Sequence, residues 1–259
     1  MSKGIARRCL PLLAVLLVLF LARPAGIYAQ RGQRGGPAVP QTAKGIAVVD
    51  LTGTWVSVIT EDWKYRMVTP KKGDYDSVPA NPAGLRAFAT WDPAKDEAAG
   101  EHCKTYGAVG GMRLPGKLRI SWQDDSTLKI EMEAGTQTRL IHFGVTGSPA
   151  GEQASWQGFS SGLWEAAISG RGQPRKGDLK VVTTHLRPGY ARKNGVVYSG
   201  NAELTEYFHR MTAPNGDQWL TLISELRDPQ YYQEPWVISS HFKKVADNTP
   251  WKPEACSAR

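Results

Sequence analysis

Short segments in which apolar and polar residues alternate recur along most of this chain, and they limit its fold more than any other feature. Residues 118–122 and 128–132 alternate in this way on either side of the turn Asp124-Asp125-Ser126. Alternation with a period of two is typical of a β-strand with one buried face. We predict nine strands, at residues 53–60, 63–69, 118–122, 128–132, 138–143, 179–186, 202–211, 218–226 and 235–244.

The order of these segments predicts an all-β fold. Residues 81–91 are the one stretch that favours a helix, so helices do not alternate with strands as they do in α/β proteins. Asn215-Gly216 indicates a tight hairpin, because both residues tolerate the positive φ angles of such a turn. A meander of this many strands removes its free edges by closing on itself. We therefore expect an antiparallel meander that closes into a barrel or half-barrel, with a β-sandwich as the alternative.

The first 29 residues have the three parts of a secretory signal peptide. Basic residues at positions 3–8 precede an apolar run at 9–22, and Ala29 is a small residue at a cleavage position. The apolar run is shorter than the roughly 20 residues that a membrane-spanning helix needs. Residues 30–45 are rich in Gly, Pro and Gln and are expected to form a flexible lead. The sequence predicts an exported protein, periplasmic or extracellular, with no membrane span in its mature form and one domain at 46–259.

Two cysteines, Cys103 and Cys256, remain after residues 1–29 are removed. In an oxidising compartment such a pair predicts a disulfide, and two unpaired thiols are the alternative. His102 adjoins Cys103, but no C-x-x-C or H-x-x-x-H spacing accompanies it. We therefore expect neither a metal site nor a bound cofactor.

The charge of the chain does not indicate a nucleic-acid partner. Lysines and arginines number 32 against 24 acidic residues, a net charge of +8. Lys3, Arg7, Arg8 and Arg23 belong to the predicted signal peptide, so the mature excess is modest. Basic residues also form no stripe with interleaved aromatic residues, which is the usual pattern of a nucleic-acid-binding surface.

Two long segments rich in Gly and Pro, at residues 70–116 and 144–176, interrupt the strands. Loops of this length in a compact domain are usually functional or disordered. Within the second, the aromatic residues of 156–165 are expected to be ordered and to cover one end of the barrel. Residues 169–177 are expected to be mobile.

Several motifs follow one another in a distinctive order. A W-x-G-x-S-x-G-x-W-E box lies at residues 156–165 and a D-P-x-x-Y-x-x-P-W box at 228–236, both between Cys103 and Cys256. This order resembles a family of exported proteins of soil bacteria, over about residues 46–256. The resemblance implies export and a β-rich fold and brings no activity with it. In that family the first box runs directly into the next strand, whereas here residues 166–176 separate Glu165 from Asp178.

A second resemblance, to lipocalins, rests on Gly53-Thr54-Trp55 in the first predicted strand. It favours a pocket lined by aromatic residues, because indole rings supply apolar walls and one N–H donor each. A barrel interior that is simply filled by side chains is the alternative. The candidate ligand-binding residues are Trp55, Trp122, Trp164, Tyr190, Glu206, His209, Trp219, Glu225, Tyr232 and Trp236.

Three functions are compatible with these residues. The first is an exported protein that binds a small apolar or amphiphilic molecule. The second is a small-molecule enzyme, an isomerase, cyclase or hydrolase, in which a His/Glu pair formed by His209 with Glu206 or Glu225 moves protons. The third is an envelope protein that binds another exported protein through a flat aromatic surface. The sequence does not predict an oligomeric state.

Overall fold

The computed structural model of the chain describes residues 41–167 and 176–259, and Gln41–Arg259 forms one compact unit. The predicted signal peptide, the lead up to residue 40 and most of the loop at 169–177 lie outside the described residues. The strands are β1 (Gly53–Val58), β2 (Lys117–Trp122), β3 (Thr127–Met132), β4 (Gln137–Phe143), β5 (Phe159–Ala166), β6 (Gly177–Thr184), β7 (Gly189–Arg192), β8 (Val196–Tyr198), β9 (Glu203–Thr212), β10 (Gln218–Arg227) and β11 (Trp236–Val245). The helices are α1 (Trp63–Arg66), α2 (Pro82–Phe88), α3 (Pro93–Ala98) and α4 (Ala108–Gly111).

Nine of the strands form a closed barrel, which confirms the predicted all-β barrel. The order around the wall is β1, β11, β10, β9, β6, β5, β4, β3 and β2, and β2 pairs again with β1. One pairing corrects the expected antiparallel meander: β4 and β5 run parallel, with Ile141 opposite Ser160. Parallel neighbours need a long crossover connection, and residues 144–158 supply it. Strands β7 and β8 form a separate two-stranded ribbon.

The strand predicted at residues 63–69 is wrong, because this segment forms the short helix α1. The Met67 N–H closes its turn by donating to the Trp63 carbonyl at 2.9 Å. Arg66 is buried, and its Nε donates to the Arg113 carbonyl at 2.8 Å. That contact turns the segment towards the end of the barrel and away from the sheet.

Helix α2 confirms the predicted helix at residues 81–91. The Asn81 side chain accepts a hydrogen bond from the Gly84 N–H at 2.8 Å, and Pro82 occupies the first turn. Both residues are typical of a helix start.

The segment expected to cover one end of the barrel, residues 156–165, instead enters the wall as β5. Across the β5–β6 hairpin, Glu165 lies directly opposite Asp178. The residues that separate these two carboxylates in the sequence therefore do not separate them in the fold.

Apolar side chains pack both ends of the barrel interior. One cluster takes residues from all around the wall, including the fully buried Trp55, Ile130 and Phe208. Ala43 and Val49, which precede β1, pack against it. A second cluster fills the opposite end with side chains from α2, α4, the β7–β8 ribbon and the loop before β11.

Cys103 and Cys256 form the predicted disulfide, with an S–S distance of 2.04 Å. It ties the loop after α3 to the C-terminal tail. Glu133 also holds this tail, because its carboxylate accepts a hydrogen bond from the Lys252 N–H at 2.5 Å and another from the Lys117 N–H at 2.9 Å.

Candidate functional site

The most deeply buried of the predicted ligand-binding aromatic residues belong to the packed interior. Trp55 is fully buried, and its Nε1 donates to the Leu51 carbonyl at 2.9 Å. Tyr232 and Trp236 stack on each other in the second cluster, with ring centroids 6.2 Å apart. These rings therefore fill the barrel ends and stabilise the fold.

Trp122 and Trp164 are half-buried and pack around Phe143, at the barrel end that the first cluster fills. The Trp164 ring is 5.2 Å from the Phe143 ring and 6.4 Å from the Trp122 ring, centroid to centroid. The Trp164 Nε1 donates to the Ala43 carbonyl at 2.9 Å. The start of the described chain thus contacts this aromatic group, which removes part of it from solvent.

Tyr190 and Trp219 lie apart from both groups. The Tyr190 hydroxyl donates to Asp96 at 2.8 Å, and burial together with the Asp96 charge raises the pKa of this phenol. Trp219 is half-buried on β10, with the Lys243 ammonium 6.0 Å from its ring centroid. The structure therefore distributes the predicted aromatic residues over several places and does not gather them around one space.

Glu206 points into the barrel and is fully buried. Its carboxylate forms a bidentate ion pair with the buried Arg139, which donates from Nη1 at 3.1 Å and from Nη2. Arg139 also donates to Ser160 at 3.0 Å and to Thr183 at 2.8 Å, and the two hydroxyls lie 2.8 Å apart. Because Glu206 is paired with a cation and enclosed by the barrel wall, we interpret it as a structural group.

His209 points the opposite way, to the outer surface, where its Nδ1 lies 2.7 Å from Asp178. Glu225 shares this outer face, but it lies opposite Thr205, four positions along β9 from His209. The predicted His/Glu pair is therefore not formed with either Glu206 or Glu225. The partner of His209 is Asp178, on an exposed wall where solvent screens the pair.

One space of ligand size in the described structure lies on the outside of the barrel, over β5 and β6. It is a groove of about 510 Å³, within the range that small-molecule sites occupy. One side is the chain leaving β4, and the floor is the outward face of the β5–β6 hairpin. The lining residues are Gly144, Val145, Thr146, Gly147, Ser161, Gly162, Leu163, Lys180, Val182 and Thr184. We call this space the outer-wall groove.

The groove combines apolar walls with one cation. Leu163 is 62 % exposed and Val145 47 % exposed, so two large apolar side chains face solvent there. The Lys180 ammonium lies 3.8 Å from Glu165 and 5.5 Å from the centroid of the Tyr207 ring. Both contacts are loose, which leaves the ammonium able to reach a ligand over the groove.

Sequence reasoning missed the outer-wall groove because it assigned none of the lining residues to a site. Their signal was weak: Leu163 and Val182 occupy outward positions of strands, which usually carry polar residues. Only the correct register of β5 and β6 identifies both as outward-facing, with Leu163 exposed and Val182 half-buried.

Comparisons with other proteins do not assign the groove a function. Within residues 41–167 and 176–259, no three His, Cys, Asp or Glu side chains are grouped so as to hold a metal ion, and no helix is long and apolar enough to cross a membrane. No protein-family model, curated protein or solved structure matches the chain. Its likeness to an exported family of soil bacteria remains a prediction, and the site is interpreted from its own geometry.

Proposed function

We propose that this chain is an exported binding protein that takes a small apolar or amphiphilic molecule into the outer-wall groove. The observation that carries the proposal is the exposure of Leu163 and Val145 on facing sides of a space of about 510 Å³. Covering a side chain of this kind contributes about 1.5–3 kcal/mol. A ligand that covers both side chains gains part of that amount at each of them, because each is already partly buried.

The basic group at the groove favours an amphiphile over a plain hydrocarbon. Lys180 offers an ammonium with three donors, and its one ion pair within residues 41–167 and 176–259, with Glu165, is long at 3.8 Å. An acceptor or anionic head group on the ligand can take the place of that weak contact. The apolar part then lies against Leu163 and Val182.

The disulfide between Cys103 and Cys256 supports export. Disulfides persist in oxidising compartments and are rare in the reducing cytosol. It agrees with the predicted signal peptide at residues 1–29, and the proposed ligand is accordingly one that an exported protein meets.

The test is fluorescence titration of the mature protein with anilinonaphthalene sulfonate, an apolar dye with an anionic head. We expect saturable binding to the wild type. Leu163→Gln removes the largest apolar contact of the groove without changing charge, so the Kd should rise about tenfold or more.

Ile223→Gln is the matched control. Ile223 is also exposed on the outer wall, at 42 %, and does not line the groove. Its replacement should leave the Kd unchanged. Absence of a saturable site, or an equal loss in both variants, would exclude the outer-wall groove as the binding site.

A further inference from the structure

Three arginines far apart in the sequence meet at the end of the barrel that the second cluster fills. Arg66 and Arg113 are each 5 % exposed and Arg192 is 2 % exposed. The guanidinium carbons of Arg113 and Arg192 lie 5.1 Å and 5.4 Å from the centroid of the Trp236 ring. Arg192 also lies over the Tyr65 ring at 4.2 Å. One indole therefore supports two of the three cations.

Two carboxylates compensate these three charges only in part. Glu61 accepts a hydrogen bond from the Nη1 of Arg66, and its other oxygen lies 2.9 Å from the Nδ1 of His241. Asp62 accepts from the Nη2 of Arg113 at 3.2 Å. Arg192 has no carboxylate within ion-pair distance among the described residues.

Backbone groups satisfy most of the Arg192 guanidinium. It donates to the carbonyls of Asp74 at 3.4 Å and Asp76 at 3.1 Å, and to the Ser77 hydroxyl at 3.4 Å. These neutral acceptors hold the side chain in position without an ion pair, and the charges of Asp62 and Asp74 act on it only from a distance.

Two donors of this group are buried without any hydrogen-bond acceptor in the described part of the chain. They are the Nη2 of Arg66 and the Nε of Arg192. Most buried polar groups of folded proteins have a partner, so two orphaned cationic donors in one cluster indicate an acceptor that binds from outside.

Both arginines line a small cavity. Its volume is about 10 Å³, and Tyr65, Arg113 and Leu114 also contribute to its wall. A space of this size holds about one water-sized group. A water molecule there could accept from a donor, but it would not balance the positive charge.

A wider depression continues from this cavity. It has a volume of about 170 Å³, and Arg66, Leu114 and Lys193 line both spaces. Met67 and Val68, which are 55 % and 63 % exposed, form part of its apolar rim. The rest of the lining is mixed and includes Lys193 and Glu254, so an apolar group next to the buried cations packs against the Met67 and Val68 side of the depression.

We infer that Arg66, Arg113 and Arg192 form a site for the carboxylate group of a small organic acid. One carboxylate oxygen fits the small cavity, where the orphaned donors supply charge-assisted hydrogen bonds. The short apolar body of the acid lies in the adjoining depression. The site shares no lining residue with the outer-wall groove, so it does not depend on the function proposed for that groove.

The electrostatics of the cluster agree with this assignment. Burial lowers the pKa of Arg113, the charges of Arg192 and Arg66 act in the same direction and Asp62 opposes them, so that the pKa lies at about 10. Burial also lowers the pKa of Arg66 and of Arg192. All three remain protonated at neutral pH, so the cluster attracts an anion under ordinary conditions.

The first test needs no variant. The mature protein is titrated with hexanoate, with the neutral hexanamide and with inorganic phosphate, while the N–H resonances of the arginine side chains are followed by NMR. We expect saturable shifts with hexanoate and none with hexanamide. Equal shifts with both would show that charge is not recognised, and tighter binding of phosphate than of hexanoate would overturn the carboxylate assignment.

The second test uses Arg66→Lys, which keeps the charge but removes the Nη2 donor. The Kd for hexanoate should rise about tenfold or more, because a charge-assisted hydrogen bond is lost. Arg187→Lys is the control, since Arg187 is an arginine with a 45 % exposed side chain that lies over Trp156, outside the cluster. An unchanged Kd in Arg66→Lys, or the same rise in both variants, would overturn the proposal.

Discussion

The buried ion pair of Arg139 and Glu206 makes a sharp prediction about what stabilises the barrel. Both side chains are 1 % exposed, and Ser160 and Thr183 complete the hydrogen bonding of the guanidinium. Removing charges from water is costly, and this cost is offset only while both partners are present. Each single replacement and the joint replacement should therefore have very different effects.

The loss in free energy of unfolding depends on which charged group stays buried without its partner. Glu206→Gln keeps the shape of the side chain but leaves the Arg139 charge buried without a counter-charge, which costs about 3–5 kcal/mol. Arg139→Met leaves the Glu206 carboxylate in the same position and should cost a similar amount. With both changes, written R139M/E206Q, no charge remains, and Ser160 and Thr183 still hydrogen-bond to each other at 2.8 Å. The double variant should then unfold with a free energy closer to that of the wild type than either single variant.

Urea unfolding followed by circular dichroism measures all four proteins, with the disulfide intact. The interpretation requires equal m-values, because a changed m-value reports a change in the exposed surface or a loss of two-state behaviour. A loss below about 1 kcal/mol in Glu206→Gln would mean that the pair is solvated, as exposed ion pairs are. A double variant whose loss equals the sum of the two single losses would refute the coupling.

Two further predictions concern the C-terminal tail. Replacing Cys103 and Cys256 by Ser opens a loop with a sequence separation of 153 residues, so the free energy of unfolding should fall by up to about 5 kcal/mol in the chain-entropy model; wild-type stability in urea would contradict it. Burial raises the pKa of Glu133, but hydrogen bonds from Lys117 and from the Lys252 N–H outweigh this and lower it below its usual 4.5. The folded state therefore gains stability from this carboxylate above pH 4.5 and loses it as the pH falls through the lower folded pKa. Glu133→Gln should cost about 1–2 kcal/mol at neutral pH and flatten the acid limb of the stability curve, and an unchanged limb would contradict this.

The barrel could be predicted from the sequence because alternation and turn residues are local signals. The predicted and observed barrels both have nine strands, but their membership differs. Residues 63–69 were expected in the wall because their composition suits a strand, and a buried contact of Arg66 overrides that preference. Strand β5, which lies between β4 and β6, is instead the ninth strand of the wall.

Strand β5 was not predicted from the sequence, because its composition is not typical of a strand. Its sequence contains Gly162 and two serines, which weaken a strand signal. Gly162 is required because a Cβ there would come within 2.8 Å of the Ile141 side chain and 3.0 Å of the Phe143 ring. The residues that obscure the strand are thus those that let it fit a packed interior, and packing is not visible in a single sequence.

The two proposed sites were beyond sequence reasoning for a different reason. The outer-wall groove depends on which face of β5 and β6 is outward, which in turn depends on the parallel pairing with β4. The arginine cluster gathers Arg66, Arg113 and Arg192 from three separate segments. Only long-range contacts bring these side chains together, and no spacing in the chain encodes them.

The packed interior decides where a ligand can bind. In a barrel that holds a ligand inside, the aromatic residues line a space, whereas here Trp55, Phe208 and the buried Arg139–Glu206 pair occupy it. The W-x-G-x-S-x-G-x-W-E box follows the same requirement, since Ser160 bonds to Arg139 and Gly162 allows close packing. These motif residues therefore specify the barrel, and both proposed sites lie away from its interior: one on the outer wall, with exposed apolar side chains, and one at the arginine end, with two buried donors that lack an acceptor in the described part of the chain.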